Sequence, residues 1–301
     1  MEKFTTDVVV VGAGLFGSMT AKFLKSKGIE TIIIDRRDPM SASKCSSGIW
    51  RPGWAHKIQR EVEESLPIIA QFTAIDTLPI FDVDKEIETT IDFIDCNNIL
   101  NEDFLEGDVK GCTYTFNRFN AKIQSVIVDV DGIDIEIECN YVVVCAGAFT
   151  NQVLNRLKMP LHFGIDGLWG AVIHSSDKLK QNYIQNWAPY KQLYGLTLQR
   201  GGEEVSYFTM GSSAKNPPAG GDNRTLNVGE KLVQYAAATG KLRNIVEIPE
   251  GLRPFFVEKE MDFVNRHGVN VLSATGGAKN STLLCGYAAQ RIFQEISGKH
   301  N

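Results

Sequence analysis

Asp7-Val-Val-Val-Val-Gly-Ala-Gly-Leu-Phe-Gly17 is the stretch that decides the fold of this chain. Its apolar run predicts a short buried strand of a parallel sheet. The glycines then follow the pattern G-x-G-x-x-G, and Ser18 to Lys27 reads as a helix that Gly28 ends. Thr31-Ile-Ile-Ile-Asp35 predicts a second strand that finishes on an acid. A strand, a glycine turn, a helix and a strand with a terminal acid form the fingerprint of a dinucleotide-binding unit.

Each residue of the fingerprint has a physical task in such a unit. Gly12 allows the tight turn, Gly14 lets a pyrophosphate approach the backbone, and Gly17 lets the helix pack close to the strand. The helix N-terminus offers free N–H groups and a partial positive charge to the phosphates. Asp35 is placed to accept hydrogen bonds from the adenosine ribose. The alternative is a glycine-rich turn without a ligand, and the motif alone does not distinguish NAD from FAD.

Composition and charge narrow the class of protein. The 301 residues suffice for one or two domains, and 43% apolar with 22% charged residues is typical of soluble proteins. No apolar run is long enough to span a bilayer and the N-terminal segment has no apolar signal core, so we expect a cytoplasmic protein. A net charge of −5 argues against broad nucleic-acid binding. The six cysteines lack metal-ligand spacing, which predicts reduced, mainly structural thiols and no metal.

Three further segments fit the first unit. Ser41 to Trp54 is a Ser/Gly loop after the second strand, where sheets of this kind bind ligands. Tyr141 to Ala148 predicts a buried strand that ends in small residues, and Ser281 to Ile296 predicts a helix stopped by Gly298. We therefore expect all three to form or flank a nucleotide-binding sheet.

Local signals define the connections between these segments. Ala55 to Leu66 predicts a helix that Pro67 breaks or kinks, because proline lacks a backbone N–H. Asp131-Gly132, between two alternating runs, predicts a β-hairpin.

Two β-rich segments indicate a second, smaller domain. Pro79 to Val109 is acidic and β-like, and Leu161 to Ser206 is β-rich with several aromatic residues. Asn216 to Gly221 then predicts an exposed loop, and the pair Asn227 and Glu230 predicts the start of a helix.

Together these motifs resemble the D-amino-acid oxidase-like flavoprotein family, glycine oxidase and sarcosine oxidase in particular. Besides the fingerprint, the resemblance rests on four motifs in the family's order: Ser46-Ser-Gly-Ile49, Val142-Val-Val-Cys-Ala-Gly-Ala148, Gly251-Leu-Arg-Pro254 and Thr275-Gly-Gly-Ala-Lys-Asn-Ser-Thr-Leu-Leu284. It is dense only in the cofactor-binding half of the chain. The implied cofactor is FAD rather than NAD.

The resemblance implies an α/β chain (α+β overall). A Rossmann-like FAD-binding domain of the glutathione-reductase-2 type would carry a smaller antiparallel β-rich substrate domain. Residues 1–78, 111–158 and 251–301 would form the FAD-binding domain. Residues 79–110 and 159–250 would form the substrate domain.

The implied FAD-binding residues lie at the glycine turn, at strand ends or at the start of the last helix. They are Gly12, Gly14, Leu15, Phe16 and Gly17 at the pyrophosphate, Asp35 and Arg36 by the adenosine, Ser43, Ser47, Gly48 and Ile49 along the flavin's flank, Ile123 through its backbone on the adenine side, Ala146 and Gly147 at a strand end, and Gly277, Lys279, Asn280, Ser281 and Thr282 under the isoalloxazine. The positive end of the last helix would face the flavin's N1–C2=O edge and favour the reduced state.

The catalytic residues implied by the resemblance are Arg253, Tyr194, Arg51 and Lys279. Arg253 would hold a substrate carboxylate, although a structural ion pair remains an alternative, and Tyr194 matches an active-site tyrosine. Arg51 could bind substrate, flavin or only a surface acid. Lys279 could assist the oxygen step, hold the flavin, or face solvent.

Three functions follow from the resemblance. The first is an FAD-dependent oxidase or dehydrogenase of glycine or an N-substituted glycine, with hydride transfer from the α C–H to flavin N5, imine hydrolysis and reoxidation by O₂ to H₂O₂. The second is oxidative cleavage of an N-carboxymethyl amine on a modified nucleic-acid base to an aminomethyl group, because a shortened segment between Leu100 and Phe119 could open the flavin to a large substrate. The third is a flavin-binding partner protein without turnover. A homo-oligomeric state is left open.

Overall fold

The computed structural model describes residues 2–51, 55–100, 103–117, 120–186, 192–200, 203–210, 214–215, 244–258 and 261–298. The loop predicted at 216–221 and the helix predicted after Asn227 lie outside these residues. The helices are α1 (Leu15–Ser26), α2 (Gln59–Ile69), α3 (Cys96–Ile99), α4 (Thr150–Arg156) and α5 (Ser281–Ser297). Within the described part of the chain, no helix is long and apolar enough to cross a membrane.

The strands fall into two sheets. In chain order they are β1 (Glu2–Val11), β2 (Thr31–Asp35), β3 (Ile49–Trp50), β4 (Ile75–Asp82), β5 (Ile87–Ile94), β6 (Leu105–Glu106), β7 (Asp108–Asn117), β8 (Asn120–Val130), β9 (Ile133–Val144), β10 (Ile165–Ser175), β11 (Tyr183–Asn186), β12 (Gln192–Arg200), β13 (Glu203–Met210), β14 (Ala214–Lys215), β15 (Ile245–Glu247), β16 (Glu250–Phe256), β17 (Val264–Arg266) and β18 (Val271–Ala274).

The first sheet has the strand order β17-β18-β9-β1-β2-β6. Strands β18, β9, β1, β2 and β6 run parallel, and β9 also carries the β7–β8 hairpin. Val8 to Val11 is buried because both faces of the sheet are covered. Side chains from α1, α2 and α5 cover one face, and those from α4 and the β7–β8 hairpin contribute to the apolar cluster on the other. The predicted strand–turn–helix–strand unit is confirmed.

Most local predictions agree with this architecture. Asp131 and Gly132 have φ values of 51° and 83° in the turn between β8 and β9, as a tight hairpin requires. Helix α5 ends at Gly298, whose φ is 67°. Helix α2, however, does not end at Pro67 but continues to Ile69. A proline so close to the end of a helix removes only one hydrogen bond of the last turn.

The second sheet has the strand order β14-β10-β13-β12-β11-β4-β5-β3, and β15 and β16 also pair with β10. Its pairings are antiparallel except for β11 with β4, which joins two distant segments of the chain. The predicted fold class, a Rossmann-like domain with a β-rich companion, is therefore confirmed.

Sheet membership differs from the predicted domain boundaries in three places. Strand β4 already begins at Ile75, before the predicted boundary at 79. Residues 105–110 belong to the first sheet, since β6 pairs with β2 and β7 with β8. Strand β16 pairs with β10 of the second sheet, although 251–301 was assigned to the FAD-binding domain. An alternating pattern identifies a strand but not the sheet that it joins.

His267 links the edge of the first sheet to the segment before β10. It is 4% exposed, and its Nδ1–H donates to the Pro160 carbonyl at 3.0 Å while Nε2 accepts from the Ser273 hydroxyl at 2.9 Å. Burial lowers the pKa of His267, the Pro160 carbonyl partly offsets this effect, and the neighbouring His162 ring lowers the pKa further. The lowered pKa therefore favours a neutral imidazole in the folded protein.

This arrangement predicts a loss of stability in mild acid. An unfolded histidine binds a proton below a pH of about 6.5, whereas folded His267 does so only at lower pH. Its contribution to the free energy of unfolding is thus complete above that pH and declines as the pH falls. Urea unfolding at pH 7.5 and 5.5 should show a smaller pH dependence for His267→Gln than for the wild type. Equal dependence in the two proteins would contradict the assignment.

Candidate active site

A cavity of about 300 Å³ opens where the parallel strands of the first sheet end. The residues that terminate or follow β1, β2, β9 and β18 all line it, and so do the loop after β2, the start of α5, and parts of β12 and β16. These lining residues include Gly12, Asp35, Cys145, Ala274, Ser43, Ser281, Tyr194 and Arg253. The carboxyl edge of a parallel sheet is the usual ligand-binding edge of such folds.

The glycine turn has the geometry that the fingerprint predicts. Gly12 has φ +109°, and a Cβ atom there would lie 2.4 Å from the Cys145 carbonyl oxygen. A Cβ atom on Gly17 would lie 1.8 Å from the Gly12 carbonyl oxygen. Gly14 precedes α1 and makes no side-chain cap, and the first turn of α1 has no acidic residue. The turn thus presents the positive end of a helix to the cavity, which suits a pyrophosphate.

Asp35 holds the turn as well as lining the cavity. Its Oδ2 accepts the Ala13 N–H at 2.6 Å, and its Oδ1 accepts the Arg37 N–H at 2.6 Å. Arg36 also lines the cavity, with its guanidinium paired to Asp38 and lying 4.4 Å from the centre of the Phe149 ring. The predicted adenosine residues Asp35 and Arg36 therefore both line the cavity.

Asp35→Ala should weaken FAD binding by about 10- to 100-fold, because a charge-assisted acceptor for a ribose hydroxyl is lost. Fluorescence titration of the apoprotein would measure this change. Asp35→Asn is the milder companion, since it keeps one acceptor oxygen. FMN, which lacks the adenosine, should bind the Asp35→Ala variant and the wild type equally. Weaker FMN binding would instead assign the effect to the support that Asp35 gives the turn.

The loop after β2 is tied to both helices that face the cavity. Ser43 Oγ accepts the Leu15 N–H at 3.0 Å, and the Ser46 and Thr282 hydroxyls lie 2.8 Å apart. Gly48 has φ +66°, and its carbonyl accepts the Ile94 N–H, which turns the chain into β3. Predicted residues Ser43, Ser47, Ile49, Leu15 and Phe16 line the cavity, and so do Ala146 and Gly147.

The start of α5 faces the same space. Asn280 and Ser281 line the cavity, and the first turn of α5 has neither a side-chain cap nor an acidic residue. Gly277 lies behind them, where a Cβ atom would come within 2.9 Å of the Phe16 ring. Gly17, Gly48, Gly277 and Thr282 are not among the residues that line the cavity. The side chain of Lys279 lies outside what the structure describes.

Arg253 and Tyr194 come from different strands and line the same cavity. Arg253 is half-buried on β16, and its guanidinium lies over Gly170 of β10. Tyr194 on β12 is 3% exposed, and burial raises the pKa of its phenol, an effect that the Arg51 charge partly offsets. Tyr194 is therefore a protonated phenol at neutral pH.

Two predicted site residues lie elsewhere. Ile123 is fully buried, its N–H donates to Asn270 Oδ1 at 3.0 Å, and its carbonyl accepts from Asn270 Nδ2 at 2.8 Å. Ile123 is not among the residues that line the cavity, and its predicted backbone contact with the adenine stays a prediction. Arg51 donates to Thr89 Oγ1 at 3.0 Å and lies 3.9 Å from the Asp82 carboxylate. Asp82 is a buried acid rather than the predicted surface acid, and the substrate and flavin roles of Arg51 stay predictions.

Trp50 is a cavity residue that the sequence reasoning did not select. It is 8% exposed, and its buried Nε1–H has no partner among the residues that the structure describes. A buried donor of this kind usually bonds to something, so this one fits a ligand with acceptor atoms. The position of Trp50 directly after the Ser/Gly loop was the available signal. The N-termini of α1 and α5, the glycine turn from Gly12 to Gly17 and this donor together fit an anionic dinucleotide with an acceptor-rich ring such as FAD.

Comparison with known proteins agrees with this geometry. Residues 7–82 match the DAO family model, described as FAD dependent oxidoreductase. No curated protein sequence matches the chain.

The fold is shared with several solved structures. Glycine oxidase from Bacillus cereus ATCC 14579 has a TM-score of 0.66 at 16% identity, with 98% of this chain and 96% of that chain covered. L-proline dehydrogenase from P. horikoshii has 0.69 at 13% identity, covering 99% and 95%. Iminodiacetate oxidase from Chelativorans sp. BNC1 has 0.65 at 14% identity, covering 97% and 96%. These likenesses show the shared fold, and the family match confirms the predicted resemblance, the enzyme class and FAD as the cofactor.

Proposed function

We propose that this FAD-dependent oxidoreductase oxidises glycine or an N-substituted glycine. The observation that carries the proposal is the presence of Arg253 and Tyr194 in the cavity that the dinucleotide turn also lines. Bound FAD would supply the acceptor for a hydride, and with it two electrons, from a carbon next to nitrogen. The chain's own residues bind, orient and shield the substrate.

The cofactor would lie along the cavity from Asp35 to Arg253. The glycine turn and the N-terminus of α1 would hold the pyrophosphate, and Asp35 would hold the ribose. The Ser43 to Ile49 loop and the N-terminus of α5 would hold the flavin ring. The partial positive charge of α5 favours negative charge on the ring.

Arg253 supports the choice of a carboxylated amine. A guanidinium binds a carboxylate through two parallel hydrogen bonds, which fixes orientation as well as affinity. Tyr194 adds a protonated phenol that can donate a hydrogen bond to the same carboxylate. With the carboxylate held in this way, the α-carbon of a glycine is in a fixed position, and such positioning accelerates reaction.

Anaerobic mixing with amines is the test of this function. The purified protein should be yellow, and acid precipitation should release FAD. Glycine, sarcosine and iminodiacetate should bleach the flavin absorbance, and air should then restore it with release of H₂O₂. Bleaching only by an N-carboxymethyl-modified nucleoside would move the assignment to a nucleic-acid base. If the protein binds FAD but no amine reduces the flavin, the protein would be a flavin-binding partner without turnover. Cytoplasmic location and homo-oligomerisation remain predictions.

A further inference from the structure

We infer that Gly170 is a positioning residue for Arg253, and that the bare backbone at Gly170 sets the selectivity of the site for carboxylated amines. The inference rests on the proposed function, since it concerns how Arg253 reaches the substrate. Gly170 itself does not line the cavity. It would act only through the guanidinium that lies over it.

The pairing of β10 with β16 explains the contact. The strands are antiparallel, with Leu168 opposite Arg253 and Gly170 opposite Gly251. Gly170 is therefore two residues along β10 from the partner of Arg253, on the same face of the sheet. Diagonal neighbours of this kind are within reach of a long side chain. Arg253 uses this reach to extend along the strand.

The Arg253 guanidinium occupies the space that a side chain at position 170 would fill. A Cβ atom on Gly170 would lie 2.4 Å from Arg253 Cζ, 2.5 Å from Nε and 2.6 Å from Nη2. All three atoms belong to the guanidinium, so a methyl group at position 170 would collide with that group. The guanidinium can occupy its present place only while residue 170 is glycine.

A substitution here should move the side chain rather than the fold. The atoms that collide lie at the far end of a flexible side chain, and Gly170 does not have a left-handed backbone. Alanine at position 170 is therefore compatible with the strand, while the guanidinium must rotate away. The fork is planar and binds a carboxylate in one orientation, so a displaced fork loses its paired hydrogen bonds.

A double-mutant cycle tests the inference. Wild type, Gly170→Ala, Arg253→Ala and the double variant would be compared as FAD-loaded proteins by anaerobic flavin reduction, with sarcosine and with its decarboxylated analogue dimethylamine. Gly170→Ala should lower kcat/KM for sarcosine by about 10- to 100-fold, as expected when a charged hydrogen-bonded pair is misplaced. It should leave the rate with dimethylamine unchanged, and it should have no further effect when Arg253 is already alanine.

The outcomes separate the inference from the proposed function. If Arg253→Ala keeps the wild-type rate with sarcosine, the carboxylate role of Arg253 fails. If Arg253→Ala is impaired while Gly170→Ala is not, the inference about Gly170 fails. An effect of Gly170→Ala that persists in the Arg253→Ala background also overturns it. Gly170→Ala could be too unstable to assay. In that case the double variant should have the melting temperature of Arg253→Ala, because removing the guanidinium removes the collision. A double variant that melts well below Arg253→Ala would overturn the inference.

Discussion

Gly17→Ala is expected to give a colourless, destabilised protein. The new Cβ atom would lie 1.8 Å from the Gly12 carbonyl oxygen and 3.2 Å from the Cys145 side chain. Because the closest atom belongs to the backbone of the glycine turn, α1 must move away from β1. Overpacking of this kind should cost about 3 kcal/mol, the upper end of the usual range. The displaced turn also loses the approach that a pyrophosphate needs.

Flavin content and thermal unfolding measure both effects. The absorbance ratio of flavin to protein should fall close to zero, and the melting temperature should drop by several degrees. Gly111→Ala is the matched control, because its Cβ atom would meet nothing closer than the Arg156 carbonyl at 3.9 Å. A yellow Gly17→Ala protein with wild-type stability would show that the turn does not bind the cofactor.

Arg253→Ala and Arg253→Lys should both lose activity towards a carboxylated amine. Losing a charge-assisted pair with the substrate should cost about 2–4 kcal/mol, which lowers kcat/KM by roughly 30- to 1,000-fold. Lysine keeps the charge but not the planar fork, so it should not restore the rate. Pro254 holds Arg253 in an extended backbone, which β16 confirms.

The controls for the Arg253 variants are their flavin content and their rate of flavin reduction by the decarboxylated substrate. Flavin content should stay at the wild-type level, because the proposed role of Arg253 is to bind the substrate carboxylate and not the cofactor. Rates of flavin reduction by sarcosine and by dimethylamine should differ strongly in the wild type and converge in both variants. Wild-type reduction of both variants by sarcosine would make Arg253 structural and leave the carboxylate to another group.

The cofactor half of the site was predictable because its requirements are local. The turn at Gly12 to Gly17 needs a positive φ and two close backbone contacts, and only glycine satisfies them. The acid at the end of β2 and the helix start at Ser281 follow from fixed offsets in such units. These features each depend on residues that are close together in the sequence, so a sequence motif predicts them.

The remaining features depend on contacts between distant residues. Nothing near Ile123 in sequence indicates that Asn270 takes up both of its backbone groups. The partners of Arg51 lie on β4 and β5, more than 30 residues away. Glu250 to Phe256 does not alternate between apolar and polar residues, so only its pairing with β10 shows which sheet it joins. Trp50 became a candidate only when its buried, unpartnered donor was seen.

The pairing of β1 with β9 has a consequence for synthesis of the protein. Val8 pairs with Tyr141, and Val11 with Val144, so one edge of this apolar strand pairs only with residues about 130 positions later in the chain. Ribosomes add roughly 5–20 residues per second, so this edge stays unpaired on the nascent chain for on the order of ten seconds. Strand β18 and helix α5 follow more than 100 residues after that. We therefore expect slow refolding and a strong dependence on chaperones during translation.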